Sequence, residues 1–114
     1  MNITNGKLGN VKVGGTSLQG RVSTSYAKLV EAFGQPDIGP DGDIDGKVTC
    51  EWTMSAEIDG TTVMATVYDW KTYSGTPMYG YDWHVGGQDD RAVLLVNAQL
   101  NAIGNGQGLI DIVV

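Results

Sequence analysis

The stretch VTCEWTMSAEIDGTTVMATVYDW, residues 48–70, decides the fold. Over residues 48–58, Val48, Cys50, Trp52, Met54 and Ala56 take one parity, and Thr49, Glu51, Thr53, Ser55 and Glu57 the other. Successive side chains of a strand point to opposite faces, so this pattern is a half-buried strand. Asp59-Gly60 follows, and this dipeptide suits the two positive-φ positions of a type I′ hairpin turn. Residues 61–70 return as a second strand. Val63, Ala65, Val67 and Asp69 alternate there with Thr62, Met64, Thr66, Tyr68 and Trp70. Both sets carry apolar groups, which places this strand mid-sheet or covers it on both faces.

Working outward, residues 71–80 read as a connection and residues 81–85, YDWHV, as a third strand ended by Gly86-Gly87. Asp89 or Asp90 then caps a helix over about residues 90–103, with Ala92, Val93, Val96, Leu100 and Ile103 on its apolar face. Gly104 stops it, and the apolar tail Leu109 to Val114 reads as a strand that pairs with a sheet edge or a second copy. On the N-terminal side, residues 24–33 form the clearest helix. Tyr26, Leu29, Val30 and Phe33 share one face, Thr24 or Ser25 caps the start, and Gly34 and Pro36 end it. Residues 1–22 hold one or two short strands between Asn-Gly and Gly-Gly turns. The expected fold is α+β, an antiparallel meander with two helices packed mainly on one face, in a single domain spanning residues 1–114.

Composition narrows the function classes. The chain has 114 residues, enough for one domain with a core of its own. Its 13 acids and 7 bases give a net charge of −6, which argues against direct binding to nucleic acid or an anionic membrane. The single cysteine, Cys50, excludes an internal disulfide and reads as a buried structural thiol. No stretch approaches a membrane span, and the first ten residues lack the apolar core of a secretory signal. A cytoplasmic location is therefore expected.

Two stretches carry a resemblance. The first is Gly15-Thr16-Ser17-Leu18-Gln19-Gly20 followed by Tyr26, Leu29-Val30, Phe33-Gly34 and Pro36. The second is Tyr68-Asp69-Trp70-Lys71 followed by Trp83-His84-Val85-Gly86-Gly87. Together they resemble a family of small uncharacterised proteins found in bacteriophage genomes, which carry TSLQG, LVxxFGxP, YDWK and WHIGG in that order. The resemblance covers roughly residues 15–100. It implies a phage-encoded protein acting in the bacterial host cytoplasm and directed at host functions, and it brings no activity with it. More faintly, the helix ending Phe33-Gly34-Gln35-Pro36 ahead of a meander is similar to β-lactamase-inhibitor-like domains, an analogy of fold alone.

The chemistry-bearing residues sort as follows. Asp41, Asp43, Asp45 and Gly46 have the alternation of a calcium loop, but its twelfth position is Trp52, with Glu51 one place early. The segment reads as a solvated acidic loop, and no metal or cofactor is expected. His84 is the only histidine; Asp69 and Asp82 are within reach in principle, yet no serine sits in a nucleophile elbow. No enzyme is expected. The aromatic set Tyr68, Trp70, Tyr73, Tyr79, Tyr81 and Trp83 lies within sixteen residues and flanks Lys71. Rings beside a cation suit a nucleobase and its phosphate, or a protein hot spot. Gly86, Gly87 and Arg91 add a glycine turn, a helix start and a base.

The expected ligand-binding residues are thus Tyr68, Trp70, Lys71, Trp83, His84, Gly86, Gly87 and Arg91. The expected function is anti-defence, by sequestration of a nucleotide-derived signal in a homo-oligomer. The alternative is an inhibitor of a host enzyme or nuclease complex that docks through Asp37, Asp41, Asp43 and Asp45, or a minor virion or assembly protein.

Overall fold

The computed structural model describes residues 3–5, 17–42, 47–72 and 75–104. Seven elements follow in the order β1 (Ile3–Asn5), β2 (Ser17–Thr24), α1 (Tyr26–Phe33), β3 (Glu51–Ile58), β4 (Thr61–Tyr68), β5 (Tyr81–Gly87) and α2 (Arg91–Gly104). The strands form one antiparallel sheet in the order β1-β3-β4-β5-β2. The meander β3-β4-β5 is its centre, and β4 is the mid-sheet strand its two-sided apolar pattern implied. The fold is α+β, with both helices against one face.

The turn at Asp59-Gly60 starts the meander. Asp59 has φ 56° and Gly60 φ 77°, so both residues are left-handed, and Ile58 pairs directly with Thr61. That geometry matches the right-handed twist of the flanking strands. Helix α1 begins where Ser25 accepts from the Lys28 N–H at 3.2 Å. It ends at Gly34, whose N–H donates to the Val30 carbonyl at 2.8 Å. In α2 the Arg91 N–H donates to the Asp89 carboxylate at 3.0 Å. Each cap satisfies a backbone group that the helix itself leaves open.

Three boundaries differ from the sequence expectation. Strand β3 begins at Glu51 and not at Val48, because Ile38 pairs with Glu51 and the chain before it is held by other bonds. Strand β5 continues through Gly86 and Gly87. These glycines do not terminate it, since Gly86 pairs with Thr66 and Leu18, and Gly87 with Ala65 and Ser17. They are glycines because of close approach. A Cβ on Gly87 would sit 2.4 Å from the Ala92 Cβ of α2, and one on Gly86 would sit 2.5 Å from the Thr66 hydroxyl. Strand β2 extends to Thr24 and carries a bulge between Leu18 and Gly20.

The core lies between sheet and helices. Trp52, Met54, Ile58, Val67, Trp83 and Val85 meet Leu29, Phe33, Leu95 and Val96. Four aromatic rings run through it. Trp52 and Tyr81 each pack edge-on against Trp83, at 5.5 Å and 5.3 Å, and Tyr26 lies tilted against Trp52 at 5.6 Å. Both indole N–H groups are satisfied, by the carbonyls of Gly34 and Thr24. Cys50 is fully buried, and desolvation, reinforced by Asp69, Asp41 and Glu51, pushes its thiol up to about 12. It is an inert thiol. No helix among the described residues is long and apolar enough to cross a membrane.

Candidate functional site

The opposite face of the sheet carries a different set of residues. Strand pairing puts Glu51 across from Tyr68, Tyr68 across from His84, and His84 across from Arg21. One row across four strands therefore reads acid, phenol, imidazole, guanidinium. The next row holds Thr53, Thr66, Gly86 and Leu18.

The rings of this face associate. Tyr68 stacks on His84 with centroids 5.4 Å apart and planes 26° from parallel. Trp70 closes the group, 6.4 Å from Tyr68 and 6.5 Å from His84. The amines of Lys47 and Lys71 lie 5.8 Å and 5.9 Å from the Trp70 ring centroid, within cation–π reach. Trp70 is 41% exposed, whereas Trp52 and Trp83 are almost wholly buried. A cleft of about 240 Å³ opens here, lined by Ser17, Val48, Glu51, Thr66, Tyr68, Trp70 and Gly86. Gly86 leaves its floor flat.

The loop wall of the cleft is anchored by a buried acid. Asp69 is wholly inaccessible and accepts from the N–H groups of Thr49 at 2.7 Å and Cys50 at 3.1 Å. The hydroxyls of Thr49 and Thr72 also donate to it. Beside it the Lys71 N–H donates to the Lys47 carbonyl at 2.7 Å, tying the two lysine-bearing segments together. Lys71 itself has φ 54°, a conformation that costs a non-glycine residue strain.

Titration follows from these surroundings. Burial raises the Glu51 carboxyl, and the nearby Asp37 raises it further. Tyr68 is raised by burial and then by Glu51. His84 is lowered by burial and by Arg21, with Asp69 opposing, which favours the neutral imidazole. Its Nδ1 is buried and, among the described residues, makes no hydrogen bond.

The expected site residues divide three ways. Tyr68, Trp70, Lys71, His84 and Gly86 come together on this face. Trp83 does not: it is a core residue on the helix side, where β5 parity carries it together with Tyr81 and away from His84. Gly87 also faces the helices, against Ala92. Arg91 pairs with Asp89 at 2.7 Å and lines a separate small depression with Met64 and Gln88. Tyr79 is exposed in the β4–β5 connection, and Tyr73 lies outside the described residues.

Asp82 shares the His84 face but accepts from the Ser23 hydroxyl across the β2–β5 pair, so it does not orient the imidazole. Of the acidic loop, Asp37 accepts from the Thr53 N–H and hydroxyl at 2.6 and 2.7 Å, and Asp41 from the Thr76 N–H at 2.8 Å. Asp37 thus fastens its loop to β3, and Asp41 joins two loops. Asp43, Asp45 and the tail from Leu109 to Val114 lie outside the described residues. No cluster that could hold a metal ion occurs among the described residues.

Glu51, Lys47, Val48 and Arg21 were not among the expected site residues. Glu51 lay on the polar parity of its strand, which was visible, but its neighbours depend on cross-strand register. A larger, open depression of about 640 Å³ lies at the β2–α1 junction, lined by Ser23, Thr24, Ser25, Lys28, Gly80, Tyr81 and Asp82. Its accessible aromatic group is Tyr81 alone, and that ring is committed to Trp83. No family model, curated protein or solved structure matches the chain.

Proposed function

We propose that this protein is a non-enzymatic binding protein that sequesters a nucleotide-derived small molecule on the sheet face opposite the helices. The observation behind the proposal is the convergence of Tyr68, Trp70 and His84 with two lysine amines over the Trp70 ring. Bases stack on aromatic rings, and lysines neutralise phosphate as point charges. At about 240 Å³ the cleft is below the range for a whole drug-sized ligand. It suits a base, with the remainder of the ligand outside it, and a second copy of the chain would complete the enclosure. In the phage setting that the motifs imply, the ligand is a host defence signal and binding removes it from the cytoplasm.

Native mass spectrometry of protein purified from a bacterial host tests this directly, with denaturation to release what is bound. The proposal expects an oligomer retaining a nucleotide-sized mass. A bare monomer that instead captures a host protein in a salt-sensitive manner would overturn it in favour of a protein inhibitor.

A further inference from the structure

Glu51 is the one wall of the cleft that a generic phosphate or aromatic site does not need. It faces the same space as Tyr68 and Trp70, directly across the strand pair from Tyr68. Among the described residues no side chain donates to its carboxylate, and the only salt bridge is that of Arg91 with Asp89. Asp37, the acid nearest in effect, is occupied by Thr53. The carboxylate is half-buried and lines the open cleft, so the donors available to it are those that enter the cleft, water or a ligand that displaces it.

The surrounding charge limits what that donor is. A simple cation attracted by Glu51 and the rings would meet Lys47 and Lys71 beside Trp70. A molecule with hydrogen-bond donors at one end and an anion at the other satisfies both. Among the bases, only guanine presents two adjacent donors on its Watson–Crick edge, N1–H and the N2 amino group. Adenine and cytosine pair one amino donor with a ring-nitrogen acceptor, which would face the second carboxylate oxygen lone pair to lone pair. Uracil flanks its single N–H with two carbonyls.

We propose that the cleft selects a guanine nucleotide, with the Glu51 carboxylate accepting from N1–H and N2–H, the base against Tyr68 and Trp70, and Lys47 and Lys71 serving its phosphate. This rests on the nucleotide reading above and gives it a base.

The test is titration of the full chain with GMP, AMP, CMP and UMP, following tryptophan fluorescence. Trp70 is the exposed indole and reports the site, while the other two lie in the core. A bidentate contact to a base edge discriminates by roughly tenfold or more. GMP is expected to bind at least about tenfold more tightly than the other three. Glu51→Gln is expected to bring the four within about threefold of one another while leaving the melting temperature equal or higher. Equal binding of all four by the unaltered protein, unchanged in Glu51→Gln, would overturn the guanine assignment and leave the nucleotide reading standing. No binding of any of the four would overturn both.

Discussion

Asp69→Ala is the perturbation whose cost can be worked most closely from the structure. The carboxylate is fully buried and accepts four hydrogen bonds, two from backbone N–H groups and two from hydroxyls. Thr49 keeps a second hydroxyl partner, Thr76, at 2.7 Å, so hydroxyl loss is partly absorbed by rotation. The N–H groups of Thr49 and Cys50 have no such freedom. Each buried donor left unmade costs about 1–3 kcal/mol, so the alanine variant should lose about 3–5 kcal/mol with its cavity included. That is a large part of the roughly 5–15 kcal/mol that holds a domain together. Asp69→Asn keeps an oxygen for the two N–H groups and presents an amide to hydroxyls that can turn to accept, so it should lose only about 1–2 kcal/mol. Urea unfolding is the assay. With a slope of about 1.5 kcal/mol/M, the alanine midpoint should fall by roughly 2–3 M and the asparagine midpoint by about 1 M. An alanine midpoint within about 0.3 M of the parent would refute the claim that Asp69 anchors the cleft wall. Equal losses in the two variants would show that charge matters there and not acceptor position.

Other outcomes follow from the same geometry. Gly87→Ala brings a methyl group to 2.4 Å from Ala92 and should cost about 1–3 kcal/mol in thermal or chemical unfolding, by displacing the first turn of α2. Lys71→Gly relieves a left-handed lysine and should hold or raise the melting temperature while weakening nucleotide binding severalfold by titration. The folded-state value of His84 is lowered below its unfolded value of about 6.5, so the unfolded chain takes up a proton that the fold resists. Stability should therefore fall as pH drops below about 6.5, and melting curves at pH 7.5 and 5.5 should show a smaller drop for His84→Gln than for the parent. Glu51 has the opposite linkage: its folded-state value is raised, so ionisation costs stability at neutral pH and the cost fades as pH falls toward the unfolded value of about 4.3. Glu51→Gln should thus melt higher than the parent at pH 7, with the gain disappearing near pH 4.

Local signals carried much of the fold. The alternation of residues 51–58, the Asp59-Gly60 turn and the Ser25 and Gly34 caps are each decided by neighbours in sequence, and each stands in the structure. What depends on distant partners was not legible in the same way. Gly86-Gly87 has the composition of a strand end, and only the approach of Thr66 from β4 and Ala92 from α2 explains glycine inside a strand. The parity of Tyr81 and Trp83 against Asp82 and His84 was readable. Which parity met the helices was not, and that choice put Trp83 in the core and left His84 to pair with Tyr68. Val48 matched the strand parity of Cys50 and Trp52, yet it turns to the cleft because the Asp69 bonds hold the chain out of the sheet before Glu51. Arg21 sits in a glycine-rich segment with no local hint of its place opposite His84.

Amide chemical-shift mapping of the full chain with GMP would locate the bound base on the molecule. Saturable shifts are expected at Glu51, Thr66, Tyr68, Trp70 and Gly86, with the core amides of α1 little changed. Shifts gathered instead around Ser23, Lys28 and Asp82, or no saturable shifts at all, would contradict binding in the cleft.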